Sequence, residues 1–176
     1  MSTENQEPTR APQQDPDQAP EQVDPTAATE LDPERDTVRE VTKQEVAAIF
    51  EEENLEYRIE DDIVRSGFIN AAIVVAFDDN NLVFEALWRG ELPRDNAGEV
   101  LFTINEFNQT RFAPTLRFFE SGEHLAISAV RAMDITHGAS FNQLGSFIVS
   151  SIGATLEAFE FLAASFPAAV TWEEAN

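Results

Sequence analysis

Two histidines, His124 and His137, are the only imidazoles in this 176-residue chain, and it contains no cysteine. Any nucleophilic, acid–base or metal chemistry would therefore have to gather around them. A Ser–His–acid triad needs a serine held beside one of these rings, and no spacing in the sequence points to one. Ser146 lies in Leu144-Gly145-Ser146-Phe147, without the Gly-x-Ser-x-Gly elbow that exposes a nucleophile. Asp134 and His137, three residues apart in a loop, offer two metal ligands without a third. His137 precedes a glycine and reads as a turn or cap residue. Asp61, Asp62, Asp78 and Asp79 lack the twelve-residue calcium-loop pattern and read as turn formers. No glycine pattern for cradling phosphates or dinucleotides occurs. The residues predict neither an enzyme, nor a cofactor, nor a metal centre.

The charge balance narrows the partners. With 33 acids against 11 bases the formal charge is -22, a field that repels nucleic-acid backbones and anionic membrane surfaces. The absence of cysteine excludes disulfides and thiolate metal sites and is compatible with a reducing compartment. The start, Met-Ser-Thr-Glu-Asn-Gln, has neither a basic nor an apolar signal region, so a cytoplasmic location is the expectation. Residues 144–164 are long and apolar enough to imitate a membrane span, but Glu157 and Glu160 fall inside them and no Lys or Arg follows. No membrane span is expected.

Composition divides the chain near Asp36. Residues 1–36 hold six of the nine prolines and ten acids. They have too few apolar side chains to offset the entropy of ordering, so they read as a disordered acidic tail. A folded domain is expected over residues 37–170, with a short C-terminal tail at 171–176.

Within the domain, Thr42-Lys43-Gln44-Glu45 fits a capping box, followed by a helix with Val46, Ile49 and Phe50 on one stripe and Glu51, Glu52 and Glu53 facing water. Strands are predicted over residues 57–65, 68–77 and 82–89, the last two joined by a turn at Asp78-Asp79-Asn80-Asn81. Asp95 is placed to cap a second helix running to Glu106 or beyond. Two more strands, 115–119 and 125–133, meet across Ser121-Gly122-Glu123. Ser140-Phe141-Asn142-Gln143 is a second capping box, and Pro167 stops the last helix. The order is α-β-β-β-α-β-β-α, an α+β domain with a five-stranded antiparallel sheet and flanking helices.

The last helix is apolar on two sides. One stripe runs from Phe141 through Ile148 and Phe159 to Phe166; the other carries Phe147, Ser151, Ala154, Ala158 and Phe161. Such a helix is either sandwiched inside the chain or contacts another chain. The second stripe and Trp88 are therefore candidate interface residues, for a homodimer or a protein partner, although Trp88 reads equally as core.

The segment Asn105-Glu106-Phe107-Asn108 resembles the Asn-x-aromatic-Asn signature of the YbjN family, with Phe107 where tryptophan is usual, and Phe112-Ala113-Pro114 matches the aromatic-x-Pro that follows it. The similarity spans about residues 41–166; the acidic tail has no counterpart. The resemblance implies a type III secretion chaperone-like fold, commonly dimeric, able to hold an extended segment of another protein, with Asn105, Phe107, Asn108 and Pro114 as architectural residues. Members are described as bacterial sensory transduction regulators, a description that names no chemistry. The expectation is a non-enzymatic, homodimeric interaction module, chaperone-like or regulatory. The alternative is a small-ligand sensor or cryptic enzyme with a pocket between the sheet and the last helix.

Overall fold

The computed structural model describes residues 32–172. The expected tail therefore lies outside the described residues up to Leu31, as do residues 173–176. The compositional boundary at residue 36 comes too late by a few positions. Arg35 donates to both carboxylate oxygens of Glu52, at 2.7 and 2.9 Å, and to Asn142 Oδ1 at 3.2 Å, fastening residues 32–36 to two helices. At the other end the domain runs past residue 170, because the Trp172 ring meets Trp88 edge to face with centroids 6.1 Å apart.

Helix α1 (Lys43–Glu52) opens on the expected capping box, with Thr42 and Glu45 each satisfying the other's backbone N–H. Val46, Ala47, Ile49 and Phe50 are buried while the three glutamates that follow face water. Seven strands form one antiparallel sheet: β1 (Arg58–Glu60), β2 (Ile63–Phe68), β3 (Ala71–Asp78), β4 (Asn81–Trp88), β5 (Leu92–Pro93), β6 (Thr115–Ser121) and β7 (His124–Asp134). The expected count was five. The predicted strand at 57–65 breaks at the Asp61-Asp62 turn, where Asp61 takes φ +51°, so β1 and β2 become a hairpin. The run at 68–77 likewise begins with a turn at Ile69-Asn70. Three residues after β4, a short β5 returns to pair Leu92 with Leu125.

The sheet order is β1-β2-β3-β4-β7-β6, with β5 beside the start of β7. Helix α2 (Ala97–Thr110) follows a 3-10 turn at Arg94–Asn96, so Asp95 does not cap it. Helix α3 (Phe141–Ser165) opens on the Ser140–Gln143 box and ends before Pro167. Its 25 residues make a rod roughly 37 Å long.

All three helices lie on one face of the sheet. Val64, Ile73, Val75, Leu82, Phe84, Ile127 and Leu116 point into a single core with Phe50 of α1, Ile104 and Phe107 of α2, and Ile148, Phe159 and Leu162 of α3. The period-two alternation of the strands sends their other side chains, such as Val74, Glu85 and Leu87, to a second face that carries no helix. The apolar length of α3 would suffice to cross a membrane; here that length packs along β4 and β7.

Candidate functional site

The geometry around the signature motif is set by two anchors. Phe107 is buried on α2 and its ring meets Phe161 of α3 with centroids 5.4 Å apart. One residue on, Asn108 donates from Nδ2 to Leu116 O at 2.8 Å and accepts from Leu116 N at 2.9 Å. Pro114 is buried at the entry to β6. Asn105, three residues before Asn108 and so on a neighbouring helical face, is exposed on the outer side of α2. Helix α2 runs four residues beyond Glu106, to Thr110.

Between the end of α2 and the middle of α3 lies a cleft of about 330 Å³ lined by Phe107, Arg111, Phe112, Ala113, Ala154, Glu157 and Phe161. The fold thus brings a motif residue, Phe107, together with two members of the second α3 stripe, Ala154 and Phe161. At its lip Phe112 is 104% exposed, with no partner for its ring. Phe102, on the outer face of α2 beside Leu101, is 71% exposed. The sequence singled out Phe112 only as part of the aromatic-x-Pro motif; its outward pose follows from the bend between α2 and β6, which no periodicity encodes.

The other stripe members divide by burial. Ser151 and Ala158 are fully buried within the chain, and the Ser151 hydroxyl donates to Phe147 O at 2.6 Å. Their small side chains let α3 sit close to its neighbours, and they offer no surface to another chain. Phe147 is half-buried with the Arg131 guanidinium over its ring, 5.3 Å from the centroid. Trp88 is also core: it is 2% exposed and packed on Trp172. The interval between sheet and α3, where a ligand pocket was the alternative expectation, is filled by Phe84, Ile127, Ile148 and Phe159.

The polar candidates are dispersed. His124 opens β7 and His137 follows its end, so an eleven-residue strand on the order of 30 Å long separates them. Asp134 accepts from Thr136 N at 2.8 Å. The Thr136 bonds, with a smaller contribution from the charge of His137, hold its carboxyl below the usual range. Among the described residues no three His, Asp or Glu side chains converge as metal ligands.

Across the sheet, on the helix-free face, Arg58, Arg65 and Arg89 surround a second cavity of about 390 Å³. Arg58 and Arg65 both pair with Glu60, at 2.7 and 2.6 Å.

No protein-family model matches the chain, and no curated protein does. Solved structures do. The crystal structure of YbjN from E. coli superposes with a TM-score of 0.63 over 74% of this chain and 97% of that one, at 8% sequence identity. The chain has the fold of YbjN. Weaker likenesses, with TM-scores of 0.48 and 0.43 and 14% identity in each case, are to the HopA1–SchA chaperone–effector complex and to the Yersinia pestis type III secretion chaperone SycH bound to a fragment of YscM2. They cover 67% and 66% of this chain and 89% and 94% of those chains. The α+β architecture that the motif implied is present at the level of fold; within it Phe107 packs on α3 and Asn108 bonds β6.

Proposed function

We propose that the chain is a non-enzymatic, cytoplasmic protein-interaction module, chaperone-like or regulatory, that holds a segment of another protein in the cleft between α2 and α3. The observation that supports this reading is the pose of Phe112 at the lip of that cleft. A fully exposed aromatic ring beside a hollow lined by Phe107, Ala113, Ala154 and Phe161, with Arg111 and Glu157 among them, leaves hydrophobic area in water that a partner would cover. A fold alone fixes no function, so the reading rests on this surface. The test is affinity capture from the native lysate with the tagged full chain, alongside Phe112→Ser and Ala154→Arg. A stoichiometric protein held by the parent and lost from both variants, with unchanged circular dichroism, supports the cleft. Equal retention by the variants removes it.

A second copy of the chain is the other occupant that a specific observation favours. Leu101 and Phe102 extend the exposed apolar surface along the outer face of α2, which makes this helix, rather than the partly buried α3 stripe, the better dimer surface. Light scattering on the parent and on Phe102→Glu tests it: a dimer mass that falls to that of one chain supports the interface, and an unchanged mass excludes it.

A further inference from the structure

The chain carries 11 basic residues against 33 acids, yet four of the 11 lie on one surface. Register places Arg58 opposite Arg65, and Arg65 opposite Val74, on the helix-free face of the sheet. Arg117 faces Ser128 in the same layer, bonding its hydroxyl at 3.1 Å and Glu85 at 2.7 Å. Arg89 continues the same alternation just beyond β4. Its guanidinium lies 3.5 Å from where a Cβ on Gly67 would stand, an ordinary contact distance that places it against β2. Two of the acids in this layer are already engaged: Glu60 is shared by Arg58 and Arg65, and Glu85 is held by Arg117; Glu56, which also lines the cavity, leaves its three arginines in excess. Arg89 makes no ion pair or side-chain hydrogen bond among the described residues. Three of the guanidinium groups thus already bind carboxylates, and the fourth, beside a cavity of about 390 Å³, is unengaged among the described residues.

Between the arginines the floor is low and apolar, made by Ala72, Val74 and Leu87. Across the sheet, two strand spacings, roughly 10 Å, separate Arg65 from Arg89, and another two separate Arg89 from Arg117. We propose that this face binds an extended, acidic segment of a partner protein, its carboxylates meeting Arg89 and its neighbours and its apolar side chains lying on Ala72 and Leu87. The surface is distinct from the α2–α3 cleft, which opens on the helical side, and the proposal does not depend on that cleft being occupied. A polyphosphate chain fits less well, because its continuous charge would extend over the acidic surface around the arginines, whereas a peptide can confine its carboxylates to them.

Selection of random dodecapeptides on the immobilised full chain is a severe test, since the mean field of a -22 protein favours basic sequences. The expected result is a recovered class rich in Asp and Glu alternating with apolar residues. A synthetic member of that class should bind in fluorescence anisotropy and weaken as salt is raised. Its affinity should fall at least tenfold in Arg89→Gln, a replacement that removes no ion pair or side-chain hydrogen bond among the described residues, and further in Arg65→Gln/Arg89→Gln. Phe112→Ser should leave it unchanged, which separates this surface from the cleft. Recovery of basic or neutral peptides only, or an acidic class that binds Arg89→Gln equally, would overturn the proposal. So would loss confined to Phe112→Ser, or equal binding of a twelve-nucleotide single-stranded DNA.

Discussion

The side-chain amide of Asn108 and the main chain of Leu116 form a closed pair of hydrogen bonds, Leu116 N to Oδ1 at 2.9 Å and Nδ2 to Leu116 O at 2.8 Å. Among the described residues strand β6 pairs only with β7 and forms one edge of the sheet. Asn108 therefore stands where the next strand would be, satisfying a peptide unit that would otherwise seek water or another chain. A helix residue acts here as a one-residue strand, and this fixes how α2 lies against the sheet and where Phe112 emerges. Asn108→Ala should cost about 1–3 kcal/mol in urea unfolding, because both groups of Leu116 lose their partner. Asn108→Asp should do little better, since a carboxylate cannot donate to Leu116 O. An unchanged midpoint in both would show that the pair carries no stability.

Gly90 follows Trp88 at the point where the chain leaves β4, and a Cβ there would collide with the Trp88 ring. Since that ring is core and packs on Trp172, Gly90→Ala should force it from its site. The expected cost is about 1–3 kcal/mol, with loss of near-ultraviolet tryptophan dichroism as the direct readout. Dichroism and stability like those of the parent would mean that the backbone after β4 yields instead.

Thr155 is buried in α3 and its hydroxyl has no hydrogen-bond partner among the described residues. An unpaired buried hydroxyl opposes folding, and valine has nearly the same shape. Thr155→Val should therefore stabilise the domain by about 1 kcal/mol in denaturant unfolding. A destabilised variant would contradict the burial of an unpaired group at this position.

Three carboxyls are held below their usual range by partners in the fold: Glu52 by Arg35, Asp62 by Lys43 and Asp134 by Thr136. Because the folded chain favours their charged forms, each contributes stability above the ordinary carboxylate pKa of about 4, and loses it as pH falls through the lowered folded value. The net charge of -22 acts in the opposite sense, since protonating unpaired acids relieves repulsion. The melting temperature should rise from neutral pH to about pH 4.5 and fall below about pH 4. Glu52→Gln should flatten the acid limb. A melting temperature that climbs steadily to low pH would deny these three pairs a role.

Much of the architecture was legible before any coordinates. The two capping boxes, the Asp79 and Gly122 turns and the alternation of Phe84, Ala86 and Trp88 are local patterns, in which a few neighbouring residues satisfy their own backbone or select one face of a strand. Where local signals competed, the sequence misled. Apolar residues on both sides of Asp61-Asp62 read as one strand, although a pair of turn-forming aspartates was enough to make a hairpin. The motif could be picked out in the sequence without the bonds of Asn108, because Asn108 and Leu116 are joined only when α2 folds back on β6.

The sequence by itself determined that a chain of this charge, lacking cysteine and any catalytic or metal-binding pattern, builds an α+β domain with three helices and an antiparallel sheet. Charge, periodicity and capping act over a few residues, and so can be read in order along the chain. Tertiary structure alone decided which apolar side chains stay outside. Ser151 and Ala158 close against neighbouring elements while Phe112, in no periodic pattern, projects into water. It also gathered Arg58, Arg65, Arg89 and Arg117, scattered over sixty residues, onto one face, because sheet register brings together residues that lie far apart along the chain.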